Sequence, residues 1–338
     1  MKIRSAGIIV AMACLIHFHH IGNAQDMQFT QFYAAQTYLN PAFTGIHGCT
    51  RIASNFRDQW PSIPGSYTSY TFSYDQYVSS FNSSFGLLLT NDKAGSGSLR
   101  STGISTLYAY EVPISYGWMI RAGLEGGIGT RNINYYELVF GDQIARGGAA
   151  TSIHSHTNTE MALYPDFSTG LLAYSENLWL GFSAHHINKP NQSLIGEESI
   201  IPIKYSVHAG AKIEIEDYSG SSLDRKNTIY PAFNYKSQGK FDQVDLGFYY
   251  GYSAMTLGIW YRGIPLLKAY QRGYANNDAI ALLAGFVVDK LQIGYSYDFT
   301  FSRLINSTAG AHEVTLNYII CRPHKKKKRR IKVPCPKF

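Results

Sequence analysis

The sequence predicts an all-β protein, a transmembrane antiparallel β-barrel of about 14 strands with an irregular N-terminal segment and a basic C-terminal tail. Three observations carry that prediction. The chain opens with an export signal. No later stretch approaches the ~20 consecutive apolar residues that a membrane helix needs. Segment after segment alternates apolar residues with polar ones or glycine at a period of two, which in a membrane reads as strands with lipid on one face and a polar lumen on the other. Composition agrees: with 26 Tyr and 31 Gly and only 16% charged residues, strands and turns are favoured over helices.

The signal comes first. Lys2 and Arg4 precede an apolar run from Ala6 to Ile16, and Gly22-Asn23-Ala24 supplies a small-x-small cleavage site, so residues 1–24 read as a signal peptide removed after Ala24. A lipoprotein reading of Cys14 is weaker, because Ala11-Met12-Ala13-Cys14 is a poor lipobox and apolar Leu15-Ile16 follows it. Residues 25–50 are irregular and aromatic, with Asn40-Pro41 and Gly45 as turn signals. They are too apolar for a free tail, and a plug-like segment tucked against or into the barrel is expected.

From Arg51 to 320 the alternation gives strands at about 51–59, 66–75, 84–91, 101–113, 118–132, 166–175, 178–187, 203–215, 228–236, 241–252, 254–263, 278–288, 291–301 and 312–320. The clearest hairpin sets Val244, Leu246, Phe248 and Tyr250 against Gln243, Asp245, Gly247 and Tyr249, then Met255, Leu257, Ile259 and Tyr261 against Ala254, Thr256, Gly258 and Trp260. Strand ends read this way shift by a few residues, and twelve or sixteen strands remain alternatives. Connections largely alternate in length. Tight ones at Ser115-Tyr116-Gly117, Glu176-Asn177, Ser253 and Asp289-Lys290 are interleaved with longer ones near 133–165, 188–202, 264–277 and 302–311. Outer-membrane barrels place short turns in the periplasm and longer loops outside, which predicts that both termini are periplasmic. Residues 216–227 and 237–240 break the alternation.

The +7 net charge belongs to the tail. Once the nine basic residues of 321–338 and the two of the signal are set aside, residues 25–320 carry a net −4. The basic tail, with Lys325, Lys326, Lys327, Lys328, Arg329 and Arg330 at its centre, reads as a solvated arm, and nucleic acid is no partner for an exported chain. Cys49, Cys321 and Cys335 survive maturation, so one internal disulfide at most is expected. The favoured pairing closes the tail between Cys321 and Cys335; two unpaired thiols are the alternative.

No motif carries catalysis or a cofactor. His154 and His156, and His185-His186, lack a partner at recognisable ligand spacing. No Gly-x-Ser-x-Gly motif groups a serine with a base, which leaves an outer-membrane hydrolase as the weakest class. Gly126, Gly127 and Gly129 read as close packing within a strand. Arg51, Arg57, Asp58, Asp75, Asp245, Arg262 and Asp298 lie on strands and should face the lumen or the rim, since a lipid-facing Arg at the midplane costs about 2–4 kcal/mol.

An ordered set of segments is more specific than any of these. Gln28-Phe29-x-Gln31-Phe32-Tyr33, Tyr38-Leu39-Asn40-Pro41-Ala42-Phe43-x-Gly45, Arg57-Asp58-Gln59-Trp60-Pro61, Tyr74-Asp75, Trp260-Tyr261-Arg262, Tyr297-Asp298 and His312-Glu313 together resemble the PorP/SprF family of Bacteroidetes outer-membrane proteins over nearly the full mature length. The resemblance implies a type IX secretion system barrel. Such a barrel docks with the translocon and with periplasmic or peptidoglycan-linked components, and assists export or surface retention of a cargo protein, including gliding adhesins, addressed through the cargo's C-terminal domain. From a different class, a passive or substrate-specific transport barrel fits the same strands.

Overall fold

The computed structural model describes residues 26–95, 97–115, 117–134, 137–148, 152, 161–194, 196, 198–215, 227–264, 276–300, 308–321, 331 and 333–335. The signal segment with Cys14, the pair His154 and His156, and the run Lys325 to Arg330 lie outside the described residues.

The described strands are β1 (Thr50–Gln59), β2 (Tyr67–Val78), β3 (Ser83–Ala94), β4 (Leu99–Ser115), β5 (Trp118–Asn132), β6 (Met161–Tyr174), β7 (Leu178–His185), β8 (Lys204–Ala211), β9 (Ile213–Ile215), β10 (Asn227–Gln238), β11 (Phe241–Tyr252), β12 (Met255–Ile264), β13 (Asn276–Val288), β14 (Leu291–Thr300) and β15 (Ala311–Ile320). Each pairs antiparallel with its neighbour in sequence, and β15 returns to β1 from Thr50↔Ile320 to Gln59↔Ala311, which closes the sheet. β8 and β9 pair with β10 in one continuous register, from Gln238↔Lys204 to Asn227↔Ile215, and so form one interrupted strand. Pro231, which has no N–H to give, lies opposite the interruption, and the Lys212 N–H bonds Asn177 O at 2.8 Å instead. The barrel is therefore fourteen-stranded.

Burial is inverted relative to a water-soluble protein. Outward positions are large and apolar, with Phe72, Leu87, Ile104, Leu124, Leu180 and Phe286 exposed, whereas inward positions such as Arg51, Asp75, Arg121, Asn234, Asp298 and Glu313 are buried. An apolar surface of this extent is stable only against lipid. All the strand charges expected inside are buried there except Asp58, which is half-buried on the outward phase near the rim.

The turns at 79–82, 116–117, 175–177, 253–254 and 289–290 lie at the mouth where β1 begins and β15 ends. The opposite mouth holds residues 60–66 and the facing ends of β5 and β6, β7 and β8, β12 and β13, and β14 and β15, but also two tight connections, between Ala94 and Leu99 and at Gly239-Lys240. The first of these arises because β3 and β4 run on to Ala94 and Leu99, past the boundaries suggested by alternation. β6 likewise begins at Met161 rather than near 166. Pro165 hides that extension in the sequence and is accommodated because its missing N–H falls on the side away from β5.

Two expectations are corrected. Cys321 pairs with Cys49, not with Cys335. Register explains it: Thr50 and Ile320 are directly paired, so the residues that flank them come together with Cα atoms 4.7 Å apart. Cys335 is a buried free thiol. The termini also separate. Asp26 bonds Gln238 and His186 and pairs with Lys204, all at the long-loop mouth, so the described chain starts there and descends through the lumen to Cys49 at the short-turn mouth. Residues 331 and 333–335 return to the lumen, where Ile331 and Val333 pack on the cluster that contains Cys335, Tyr33 and Tyr249.

Peptide mapping of oxidised, unreduced protein is expected to recover Cys49 linked to Cys321 and Cys335 alkylated only after denaturation. Cys49→Ser should destabilise the barrel by about 2–4 kcal/mol in denaturant unfolding. A Cys321–Cys335 peptide would contradict the seam.

Candidate functional site

The lumen is the site, and residues 26–49 occupy it. Within this segment α1 (Gln36–Leu39) and a 3-10 turn (Pro41–Phe43) are joined by Asn40, whose Oδ1 accepts the Ala42 N–H at 2.8 Å while Pro41 supplies the first turn position. The Asn40 Nδ2 reaches the wall, lying within 3.1 Å of Leu171 O, Phe182 O and His208 Nε2. The wall makes room for this turn with glycine. A Cβ on Gly170 would lie 1.9 Å from Asn40 Oδ1, and one on Gly123 would lie 2.2 Å from the Ala42 nitrogen. Phe32 meets Trp260 edge-on at 4.8 Å and Tyr33 meets Trp179 at 5.6 Å, which gives the polar barrel an apolar centre.

Charges hold the segment at three heights. Near the long-loop mouth, Asp298 accepts from Arg57 Nη2 at 2.7 Å and Arg262 Nη1 at 3.0 Å. The Thr30 hydroxyl donates to Asp298 at 2.7 Å and accepts from both Arg57 and Arg262, at 2.7 and 2.9 Å. Glu313 completes the cluster by accepting the backbone N–H groups of Thr30 and Gln31 at 2.7 and 2.9 Å. Arg262 continues to Asp245 at 3.0 Å, and Lys236 meets the other Asp245 oxygen at 3.2 Å. Lower down, Arg121 pairs with Glu111 at 2.6 Å and donates to the carbonyls of Ala42 and Thr44 and to the Ser84 hydroxyl. Tyr174 OH donates to the same carboxylate at 2.8 Å. Near the short-turn mouth, Arg51 pairs with Asp75 at 2.8 Å and donates to Gln36 at 2.9 Å, while the second Asp75 oxygen accepts the Gly45 N–H at 2.8 Å. Gly45 is required there: its φ is +66°, and a Cβ would sit 2.5 Å from Ser84 Oγ.

The resemblance motifs thus divide in two. Asn40, Pro41, Gly45, Arg57, Asp75, Trp260, Arg262, Asp298 and Glu313 meet inside, on the plug and the wall that grips it. Tyr38 joins them, its hydroxyl donating to Met27 O at 2.8 Å and accepting from Lys204 at 3.2 Å. Gln59 keeps the inward phase of Arg57 at the rim, half-buried, whereas Trp60, Pro61, Tyr74, Tyr297 and His312 are not brought to the lumen. Trp60 packs edge-on to Tyr67 at the rim with its backbone N–H on Gly310 O, and the rings of Tyr297 and His312 lie 4.9 Å apart, tilted at 58°, on the outer face. At His312-Glu313 the strand sends one residue out and one in. Thr30, Gln36, Ser84, Glu111 and Arg121 act in the grip without having been singled out in the sequence, although the alternation of β5 already turned Arg121 inward.

At the long-loop mouth the start of the plug is latched by charge. Asp26 lies 2.9 Å from His186 Nε2 and 2.8 Å from Lys204, with Asp166 2.8 Å from the other face of His186. Burial alone would lower the His186 pKa, but Asp26 and Asp166 outweigh it and raise the imidazole from 6.5 to about 10. Burial would raise Asp26, yet His186 and Lys204 hold its carboxyl well below the usual range. A cavity of about 140 Å³ adjoins this latch, lined by Asp92, Glu125, Arg131 and Tyr164 among others. Among the described residues no group of three His, Cys, Asp or Glu could hold a metal ion.

Residues 21–318 match the family described as type IX secretion system membrane protein PorP/SprF. The chain belongs to this PorP/SprF family. Membership associates it with the type IX secretion machinery and with a membrane, and a closed antiparallel barrel is the form in which strands cross outer membranes. No curated protein matches the sequence. Among solved structures, the P. putida toluene transporter TodX is similar at 10% identity over 84% of this chain and 93% of its own, with a TM-score of 0.46. A mutant of the Rh. blastica porin is similar at 10% identity over 80% and 99%, with a TM-score of 0.32.

Two outcomes are expected. Asp298→Ala leaves Arg57 and Arg262 buried against Thr30 without their shared carboxylate, and should cost about 3–5 kcal/mol in urea unfolding, whereas Tyr297→Ala on the outer face should cost far less. The latch should loosen with alkali. A raised His186 pKa contributes stability in full below 6.5 and loses it as pH rises toward 10, while the lowered Asp26 pKa contributes in full above 3.8. A spin label on Gln28→Cys should therefore gain mobility between pH 6.5 and 10, and His186→Gln should remove that dependence.

Proposed function

We propose that this chain is a plugged outer-membrane barrel that docks with the type IX translocon and assists export or surface retention of one cargo protein. An adhesin of gliding motility is the kind of cargo the family reading favours, recognised through its C-terminal domain. In this reading residues 1–24 are removed on export, the short-turn mouth faces the periplasm, and the basic run of the tail, Lys325 to Arg330, is what periplasmic or peptidoglycan-linked components meet. The filled lumen carries the proposal. A segment gripped at three heights by buried ion pairs leaves the barrel's surfaces, rather than its interior, to do the work, and docking makes or breaks no bond.

A substrate-specific transport barrel is the second reading, and the polar cavity beside the Asp26 latch favours it. Transport would require the plug to leave or to rearrange, against the loss of all those buried contacts.

In planar bilayers the intact protein is expected to be silent, and deletion of residues 26–46 to produce a stable conductance. Purification from the native outer membrane in mild detergent should recover translocon subunits and a large secreted protein. An open wild-type pore recovered alone from secreting cells would transfer the assignment to transport.

A further inference from the structure

The barrel wall is uneven in height, and its tallest side ends in a strand edge that no described residue covers. On the outer face Leu89, Ile104, Ile128 and Pro165 are cross-strand neighbours on β3 to β6. One rung toward the long-loop mouth stand Asn91, Thr102, Thr130 and Leu163, and the next rung holds Lys93, Arg100, Asn132 and Met161. Three strands turn polar above the apolar belt, and two of them end in a charge, Lys93 and Arg100. β6 does not: Leu163 and Met161 are 65% and 61% exposed at a level where their neighbours mark the end of the lipid.

β7 stops short of this height. The last β6–β7 pair is Thr169↔Ala184, and above it the cover is loop: Ile187 donates to Phe167 O at 2.9 Å, Phe167 to Asn188 Oδ1 at 3.2 Å, and Asn188 Nδ2 to Pro165 O at 2.7 Å. Among the described residues the cover ends there. Phe167 shows that odd-numbered residues of β6 aim both backbone groups away from β5. Leu163 and Met161 therefore turn their N–H and C=O toward the uncovered side, with no partner among the described residues. An edge of this kind is a template for one more strand.

We propose that Met161–Pro165 is a docking edge, which receives an extended segment of a partner protein of the secretion machinery as an added strand. The inference rests on the family reading above and names a contact within it. The edge selects its occupant: backbone N–H and C=O in a row are complemented by another backbone, and Met161 and Leu163 favour apolar residues at alternate positions of that segment. A second copy of the chain fits less well. Antiparallel pairing centred on Leu163 would set Pro165, which has no N–H, opposite Met161 and lose one of the two bonds of that pair.

The test uses the full chain in its native outer membrane, with a benzophenone amino acid in place of Met161. Expected is an adduct to a protein that also copurifies with the barrel and translocon subunits, mapped to a stretch with alternating apolar residues. Leu163→Pro in the same background should reduce that adduct about tenfold, while Leu163→Thr, which keeps the N–H, should leave most of it. Leu163→Pro removes a donor that β5 does not use, in the same phase as the native Pro165, and the heat-dependent gel shift of a folded barrel checks that it folds. Three results would overturn the edge: an adduct only to a second copy or to the chain's own loop, no adduct although the machinery copurifies, or an adduct indifferent to Leu163→Pro. Loss of copurification from the unmodified parent would instead remove the family reading on which the edge depends.

Discussion

Fourteen strands enclose more space than their own inward side chains fill, and this barrel turns guanidinium and carboxylate groups into that space. A buried charge without partners costs several kcal/mol, so the lumen is stable only if something supplies hydrogen bonds at those charges. Residues 26–49 do so largely with backbone. The N–H groups of Thr30, Gln31 and Gly45 and the carbonyls of Ala42 and Thr44 meet Glu313, Asp75 and Arg121. Because backbone groups are present whatever the side chain, much of the segment is free to be aromatic and to build an apolar centre. Barrel and plug are therefore one folding problem: the wall's charges need the segment, and the segment has no other element of its own to pair with.

Glycine on the wall follows from the same constraint. Gly170 and Gly123 admit the Asn40 turn, while Gly210 lies under Trp179 and Gly247 under Trp260, each so close that a Cβ would fall within 2.5 Å of the covering group. An aromatic ring laid across a neighbouring strand's glycine fills volume without lengthening any side chain into the lumen. Outside, the requirement reverses, and the same strands carry Leu, Phe and Ile toward lipid.

The period of two made the strands legible, since any inward or outward reading of β11 or β14 fixes all of its side chains at once. What alternation could not show was what lies across a seam. The Cys49–Cys321 bond depends on β15 meeting β1 with Thr50 opposite Ile320, a fact of register between residues 270 positions apart. The direction of the plug was hidden for a similar reason: an even number of strands with alternating short and long connections put both termini at the short-turn mouth, but Asp26 finds its complement in His186 and Lys204 at the other end. Within the grip, the inward phase of Arg57, Asp75 and Asp298 was readable, whereas the part played by Thr30 was not, because a threonine in an irregular segment carries no signal until two arginines converge on it.

Height is the remaining asymmetry. Near β10 and β11 the wall ends in a two-residue turn, and the plug's first residues latch there; near β3 to β6 it continues two rungs past its apolar belt. A barrel that served only as a pore would gain nothing from a wall raised on one side, since a filled lumen conducts equally little at either height. A raised wall does create backbone edges and exposed side chains outside the lipid, and those are the features from which protein contacts are made. The interior is committed to holding itself shut, so in the docking role proposed above recognition falls to the rim, where strand lengths and loops differ from one side of the barrel to the other.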